Sequence, residues 1–406
     1  MGFYVEAAVK QKKQKKQVAA KKELYSIGST HFINDLMTTG IVPALLPLYK
    51  EAFHLSYTQA GVIMLVSTLA SSIMQPLFGM FTDKYPKSWY LPFSVLLTGF
   101  GLALSGFVNS YALLLLMIAL SGLGSGIFHP EASRGAHLAA GNAKGAAQAI
   151  FQVGGNFGQA VGPLMIPLFL LATGIKGLGW FALLGFVGSL LILNIMPWYR
   201  ESLEKDRQKK KSQFAGKRHI VGLVGLTLVV MLRSWTQIGV AAFLPFYYIQ
   251  QNISLAVADV YTFLFLGAGA VGTYIGGRYS DYFSHKWILF GSMFLTIPFA
   301  WLLPHVSGIW VIIILVLFGF FVLSSFVVTV VYGQMMLPNN IGLASGLMIG
   351  FAVGAGGVGA TFMGWISDHY GVEFIFDLFV IIPVVAAMIT LFLPSEKTLL
   401  ERNGAA

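Results

Sequence analysis

The sequence contains no cysteine and few charged residues, and both shortages restrict what the protein can be. With no Cys among 406 residues, the chain has no disulfide framework, thiol redox chemistry or thiolate metal site. Charged residues make up only 10% of the chain, whereas about 25% is usual in soluble domains. Hydrophobic residues make up 56%, and the mean hydropathy is +0.74. The composition therefore predicts an integral membrane protein.

Sequence motifs of enzymes and of ATP-driven pumps are missing as well. The chain has no His-Glu-x-x-His sequence, no nucleophile elbow and no phosphate-binding lysine loop of the Walker type. We therefore expect no enzymatic activity, no cofactor and no metal. Any active transport would have to draw on an ion gradient.

Long apolar runs predict twelve membrane-spanning helices. The runs are too continuous for the alternating strands of a barrel, and each crossing needs about 20 apolar residues. The predicted spans are 24–50, 57–80, 89–108, 111–133, 142–172, 178–198, 220–250, 256–277, 287–304, 309–336, 341–366 and 372–393.

The two halves of the chain repeat each other at an offset of 198 residues. Leu46-Pro47-Leu48-Tyr49 returns as Leu244-Pro245-Phe246-Tyr247, and Gly79-Met80-Phe81-Thr82-Asp83 returns as Gly277-Arg278-Tyr279-Ser280-Asp281. The repeat predicts an all-α membrane protein made of two pseudo-symmetric six-helix bundles. The predicted divisions are a basic tail at 1–23, bundles at 24–198 and 220–393, a linker at 199–219 and a second tail at 394–406.

The distribution of basic residues predicts that both termini are cytoplasmic. In this orientation all but three of the 26 lysines and arginines lie on the inner side, and Lys50, Lys176 and Arg233 are the exceptions. The net charge of +10 is then explained by topology and by attraction to anionic lipid, so no nucleic-acid partner is needed. Nothing in the sequence indicates an obligatory oligomer, and we expect a monomer.

Two opposite charges lie at equivalent depths of the repeated unit. The offset places Asp35 in the first span opposite Arg233 in the seventh. A charged side chain at mid-membrane costs about 2.5–3.5 kcal/mol on insertion scales, so neither group can face lipid. Arg233 presents a planar fork suited to a phosphonate, phosphate or carboxylate. The alternative is a buried structural pair between Arg233 and Asp35, which substrate or a proton would break.

Polar residues recur at helical spacing around these charges. His31, Asn34, Asp35 and Thr38 share one face of the first helix. The candidate substrate-binding residues are His31, Asn34, Gln152, Asn156, Arg233, Trp235 and Gln237. Amides offer donors and acceptors to a polar substrate that sheds its water. Helix packing is the alternative explanation for one or two of these residues.

Four motifs carry a resemblance to the major facilitator superfamily that covers essentially the whole chain. Gly79 to Lys87 resembles its loop between helices two and three, although Pro86 stands where glycine is usual, and Gly158 to Pro163 resembles its antiporter motif in helix five. Gly126 to Ala132 and His31 to Asp35 are similar to the fosmidomycin-resistance branch of that superfamily. The resemblance implies the major facilitator fold in a bacterial inner membrane.

A cytoplasmic gate and a proton site follow from the resemblance and the charges together. The gate would comprise Gly79, Asp83, Lys84, Lys87, Glu131 and Arg134. A surface pair of Glu131 with Arg134 is the simpler alternative. Many drug antiporters carry an arginine in helix four, but this chain has Ile118 to Gly122 there. We therefore assign proton coupling to Asp35, His129 and Glu131, with a packed neutral histidine as the alternative for His129.

The resemblance implies export of a small anionic drug such as fosmidomycin by proton antiport with alternating access. The substrate would displace Asp35 from Arg233, and Asp35 would then take a proton. The rival function is import of an organic anion or sugar by proton symport. A channel is disfavoured because a doubled six-helix unit with one acid and one base at its centre suits a rocking two-bundle carrier.

Overall fold

Helices make up the architecture throughout the residues that the structure describes. The computed structural model describes residues 19–141, 144–207, 218–280, 282–338, 343–344 and 346–402, and no strand occurs among them. Helices suit this apolar sequence because each one satisfies its backbone hydrogen bonds internally, as lipid requires.

The described residues contain twelve apolar helical segments in the places of the twelve predicted spans. Nine helices are long and apolar enough to span a membrane, two more crossings are bent pairs, and one is a shorter apolar helix. They are α1 (Lys21–Ala44 with Leu46–Phe53), α2 (Tyr57–Thr82), α3 (Tyr90–Ser105), α4 (Tyr111–Ala139), α5 (Ala147–Leu164 with Ile166–Thr173), α6 (Ile175–Leu193), α7 (Ile220–Gln250), α8 (Leu255–Tyr279), α9 (His285–His305), α10 (Ile309–Met336), α11 (Gly346–Tyr370) and α12 (Phe374–Leu391).

The two six-helix bundles meet through three helix pairs. The pairs are α1 with α7, α2 with α11, and α5 with α8. Glycine lets the backbones of α2 and α11 approach closely, since a Cβ on Gly61 would lie 2.6 Å from the carbonyl oxygen of Ala360. Small residues supply contact in membranes because there is no hydrophobic force between helices in lipid. These pairs are where side chains of one bundle can contact side chains of the other.

Helices α1 and α5 are each bent at one break. The two parts of α1 meet at an angle of 55°, and those of α5 at 44°. A π-helical segment, Leu36–Gly40, begins directly after Asp35, and another, Ile166–Leu170, lies in α5. Wide turns of this kind are frequent at functional sites.

Two short helices extend into the stretches predicted as linker and tail. Met196–Arg207 follows the first bundle and Glu396–Arg402 follows the second. Along the first of these helices, Tyr199 and Leu203 are the buried residues. This narrow buried face explains why its sequence has no long apolar run. An exposed pair of Glu201 with Lys205 at 2.5 Å lies on its other face. The remainder of the predicted linker (208–217) and the tail residues 1–18 and 403–406 lie outside the described residues.

Candidate functional site

The polar stripe of α1 is buried inside the N-terminal bundle. His31, Asn34, Asp35 and Thr38 are each exposed by 9% or less. Their side chains reach α4 and α5. The stripe therefore faces protein and not lipid, as the cost of an intramembrane carboxylate requires.

Two histidines contact the two oxygens of the Asp35 carboxylate. The Nε2 atom of His31 lies 3.2 Å from Oδ2, and the Nε2 atom of His129 in α4 lies 3.2 Å from Oδ1. Asn34 Nδ2 also donates to Oδ1 at 3.0 Å. The Nε2 atom of His31 is buried and makes no hydrogen bond among the described residues. We call His31, Asp35 and His129 the histidine–aspartate cluster.

Asn34 ties the histidine–aspartate cluster to α3 and α4. Its Nδ2 donates to Ser125 Oγ at 2.9 Å, and its Oδ1 accepts from Thr98 Oγ1 at 3.2 Å. Both ends of the amide are thus used within one bundle. The structure places Asn34, predicted to bind substrate, in the support of Asp35.

Helix α5 covers the histidine–aspartate cluster with a backbone carbonyl and a glycine. His31 Nδ1 donates to the carbonyl oxygen of Phe151 at 2.7 Å, and the two rings stack at 4.0 Å. A Cβ on Gly155 would lie 2.4 Å from His31 Nε2 and 2.7 Å from Asp35 Oδ2. The predicted substrate residues of this helix, Gln152 and Asn156, are half-buried, and Gln152 Nε2 donates to Asn156 Oδ1 at 3.2 Å.

The expected pair between Asp35 and Arg233 does not form, and this prediction is wrong. Asp35 contacts His31 and His129 and accepts a hydrogen bond from Asn34, all within its own bundle. The guanidinium of Arg233 lies over the ring of Phe326 in α10, with its carbon 5.0 Å from the ring centre. Equivalent positions in a repeat therefore do not bring the two side chains into contact.

Arg233 is buried with part of its hydrogen-bonding capacity unused. Its exposure is 1%, and Nε and Nη1 have no hydrogen-bond partner among the described residues. A buried charge in this condition is costly unless an anion neutralises it.

The other two predicted residues of α7 point in different directions. Trp235 packs against α11, where a Cβ on Gly359 would lie 2.4 Å from its Cγ, and its Nε1 is buried and unpartnered among the described residues. Gln237, one turn beyond Arg233, donates from Nε2 to Oε1 of Gln159 in α5 at 3.4 Å. Of these two residues, Gln237 is the one that makes a hydrogen bond to the other bundle.

Two of the residues predicted to form a cytoplasmic gate, Glu131 and Arg134, form a local pair, as the simpler alternative predicted. Glu131 is wholly buried, and it accepts from Arg134 Nη1 at 2.9 Å and from the Tyr199 hydroxyl at 2.8 Å. Lys84 and Lys87 are exposed, and Lys84 Nζ lies 5.2 Å from the ring centre of Tyr85.

The remaining gate positions add little contact in this structure. A Cβ on Gly79 would lie 3.6 Å from the side chain of Pro130, which places the end of α2 against α4. The side chain of Asp83 lies outside the described residues. The role of Tyr199 was not predicted, because this residue directly follows the sixth predicted span (178–198) and carries no charge.

A second inter-bundle contact, at the opposite end, was also missed. Asp368 of α11 accepts from the backbone nitrogens of Tyr57 and Thr58 at 2.7 and 2.8 Å and from Thr58 Oγ1 at 2.5 Å. A carboxylate at a helix N-terminus is favoured by the helix dipole. We call this contact the Asp368 cap. The signal in the sequence was an acid just beyond a predicted span, opposite the Ser56 start of α2.

Among the described residues, one group could converge on a cation. The ligand atoms of His31, Asp35 and His129 all lie within 4.8 Å of one another. The cluster sets two imidazoles against one carboxylate, whereas Arg233 in the other bundle presents a buried guanidinium.

Comparison with a family model and with known proteins points to the same family. The family model described as Major Facilitator Superfamily matches residues 27–251 and again 223–406. The chain is 36% identical over 379 residues to the fosmidomycin resistance protein of Escherichia coli (strain K12), covering 92% of this chain and 93% of that protein. It is 35% identical to the uncharacterized MFS-type transporter YfnC of Bacillus subtilis (strain 168), covering 93% and 94%.

Solved structures share the fold at low sequence identity. A bacterial homolog of the human lysosomal transporter Spinster, inward-facing and occupied, superimposes with a TM-score of 0.68 at 17% identity, covering 94% of this chain and 97% of that one. The inward-open xylose transporter XylE from E. coli gives 0.68 at 15% identity, covering 95% and 98%.

Proposed function

The chain belongs to the major facilitator superfamily and is a multi-pass membrane transporter, and on this premise we propose that it exports a small anionic drug by proton antiport. The relative that is 36% identical over nearly the whole chain is a fosmidomycin resistance protein. We propose fosmidomycin, or an anion of similar size, as the substrate. The location would be a bacterial inner membrane with both termini cytoplasmic, and the working unit a monomer.

The observation that carries the anionic substrate is the state of Arg233. Its guanidinium is buried, and Nε and Nη1 have no partner among the described residues. A phosphonate or carboxylate would accept from this edge in charge-assisted hydrogen bonds. Gln237, one turn away on the same helix, offers an amide to the same substrate.

Proton coupling is assigned to the histidine–aspartate cluster. Asp35 and His129 lie in contact, and the side chain of His129 is 18% exposed, which gives protons a route to Asp35. The earlier expectation that substrate displaces Asp35 from Arg233 is dropped, because the two side chains do not pair. Glu131 keeps a proton-coupling role as a proposal only, since its carboxylate is bound to Arg134 and Tyr199.

Helix α5 offers a mechanical link between proton and substrate. Phe151 and Gly155 contact the cluster, and Gln159 reaches Gln237; the three positions follow at four-residue steps along one face. A shift of α5 on proton binding would therefore be felt at α7. Alternating access would open the Asp368 cap on one side and close the opposite side in each cycle.

Gradient-driven uptake into inside-out membrane vesicles tests the proposal. An acidic lumen should drive accumulation of labelled fosmidomycin. Asp35→Asn should abolish that accumulation while leaving equilibrium binding intact, because the amide cannot take up the coupled proton. Asp206→Asn, at an exposed acid on the inter-bundle helix, is the control and should transport normally. Accumulation driven instead by an alkaline lumen would establish symport and import, and indifference to any gradient would reject proton coupling.

A further inference from the structure

We infer that His31 and His129 act together with Asp35 as one site that holds two protons, so that His31 serves the proton and not the substrate. This inference rests on the proposed proton antiport and adds its stoichiometry. The evidence for it is the hydrogen bond that the Nδ1 atom of each histidine makes.

Both histidines have their Nδ1 atoms committed as donors. His31 Nδ1 lies 2.7 Å from the carbonyl oxygen of Phe151, and His129 Nδ1 lies 2.8 Å from that of Ser125. A carbonyl oxygen can only accept, so each Nδ1 carries a hydrogen. In the neutral form of either ring, Nε2 is then a bare lone pair.

Each of these lone pairs faces a different oxygen of one carboxylate. His31 Nε2 is 3.2 Å from Oδ2 and His129 Nε2 is 3.2 Å from Oδ1. Without added protons, both contacts set a lone pair against a negative oxygen and the cluster carries one negative charge. A proton on either Nε2 turns its contact into an N–H to oxygen hydrogen bond. Two protons satisfy both contacts, one on each oxygen.

The surroundings supply no other group that could take these protons. Between Leu91 and Ser105 in α3, between Ala147 and Thr173 in α5, and between Trp180 and Leu193 in α6, the sequence has no titratable side chain. On α4, Glu131 is the next acid after His129, and its carboxylate is bound to Arg134 and Tyr199. The cluster is therefore a self-contained unit of one acid and two bases.

Unequal burial gives the two histidines different places along the proton route. The side chain of His129 is 18% exposed, whereas that of His31 is 2% exposed. His31 is also enclosed by the ring of Phe151 and the backbone of Gly155. His129 at 18% and Asp35 at 12% are therefore the more accessible groups, and protons reach His31 through the Asp35 carboxylate.

Substitution of each histidine by asparagine separates these roles. The asparagine amide retains a donor near the position of Nδ1, so the bond to the backbone carbonyl can persist while the Nε2 base is lost. His369→Asn is the matched control, because His369 Nδ1 also contacts a carbonyl four residues earlier, at 2.8 Å from Trp365, on an exposed face.

The quantity to measure is the substrate gradient that balances a fixed pH gradient, with the membrane potential clamped to zero in inside-out vesicles. Two coupled protons support about a 100-fold fosmidomycin gradient per pH unit, and one supports about tenfold. We expect the two-proton value for the wild type and His369→Asn, and the one-proton value for His31→Asn and His129→Asn.

The possible failures are distinguishable. Wild-type transport that ignores the pH gradient would reject the proposed antiport itself. A wild type that is coupled, with His31→Asn or His129→Asn retaining its full gradient, would overturn only the two-proton cluster. Loss of transport on treatment with a chelator, restored by a divalent metal ion, would also overturn it, because a metal would then occupy the place of the protons. Binding of fosmidomycin to each variant shows that the protein is folded.

Discussion

Asp35 in α1 and Arg233 in α7 occupy equivalent positions of the two bundles, yet their surroundings differ. Asp35 contacts two histidines and an asparagine, whereas Arg233 rests on the ring of Phe326 with Nε and Nη1 unpartnered among the described residues. A carboxylate between two imidazoles can exchange protons with them, and a buried guanidinium with unused donors can bind an anion. The two equivalent positions of the doubled unit have thus diverged, one into a carboxylate held between two histidines and the other into a guanidinium with unused donors.

The largest expected effect is the loss of anion binding in Arg233→Ala. Charge-assisted hydrogen bonds contribute about 1.5–3 kcal/mol each, so losing two of them should weaken fosmidomycin binding by about 100-fold or more. Arg233→Lys keeps the charge without the planar fork and should retain part of the affinity. Equilibrium binding to the purified transporter measures both.

The same variant tests whether Arg233 and the histidine–aspartate cluster act independently. If the two sites are independent, Arg233→Ala leaves the proton affinity of the histidine–aspartate cluster unchanged. NMR titration of the His31 and His129 rings measures that affinity. A large change in that titration would mean that the two charges act as one site. Unchanged fosmidomycin affinity would remove Arg233 from the substrate site.

Much of the fold could be predicted from the sequence, because composition, run length and internal repeat are properties of the chain itself. Twelve crossings in two bundles follow from apolar runs and the offset of 198 residues. The partner of Asp35 could not be predicted in this way. His129 is 94 residues away from Asp35 in the sequence, and only the packing of α4 against α1 determines that their side chains meet.

The Asp368 cap could not be predicted from the sequence either. Asp368 lies two residues beyond the predicted span 341–366, where an acid is ordinary and carries no signal alone. Its role depends on the start of α2, which is some 310 residues earlier in the chain. Residue type predicts what a group can bind, while the bundle geometry decides what it does bind.

An intermediate effect is expected from Gly155→Ala, which acts on the N-terminal bundle alone. The new methyl group would lie 2.4 Å from His31 Nε2 and 2.7 Å from Asp35 Oδ2, so α5 or the cluster must move. Overpacking of this kind costs about 1–3 kcal/mol. We expect about a tenfold loss of gradient-driven uptake with fosmidomycin affinity within about twofold of wild type, since one tenfold step corresponds to about 1.4 kcal/mol.

Gly291→Ala is the matched control for this substitution. Gly291 is also helical, but a Cβ there would meet no atom within 4 Å, so uptake should be unchanged and thermal stability slightly raised through better helix propensity. Normal uptake by Gly155→Ala would show that the close approach of α5 has no part in coupling. An equal loss of fosmidomycin affinity would show that the two halves are not separable.

The smallest expected effect comes from Asp368→Ala, which tests a second difference between the halves. Ser56 caps the start of α2 and Ser254 caps the start of α8 at the same offset of 198 residues, but only α2 has the added carboxylate of Asp368. Asp368 is exposed, so its loss should cost about 1 kcal/mol. Such a change shifts a two-state equilibrium by about fivefold toward separation of α2 from α11.

Labelling of a single cysteine measures that shift, because the chain has no cysteine of its own. A cysteine in place of Gln237, which is buried between the bundles, should react about fivefold faster with an impermeant thiol reagent added at the Asp368 side. Ser254→Ala weakens the corresponding cap of α8 without touching an inter-bundle contact, so it should leave the rate unchanged. An equal acceleration by Ser254→Ala would mean that helix capping in general controls opening. No acceleration by Asp368→Ala would mean that glycine packing of α2 against α11 alone keeps that end closed.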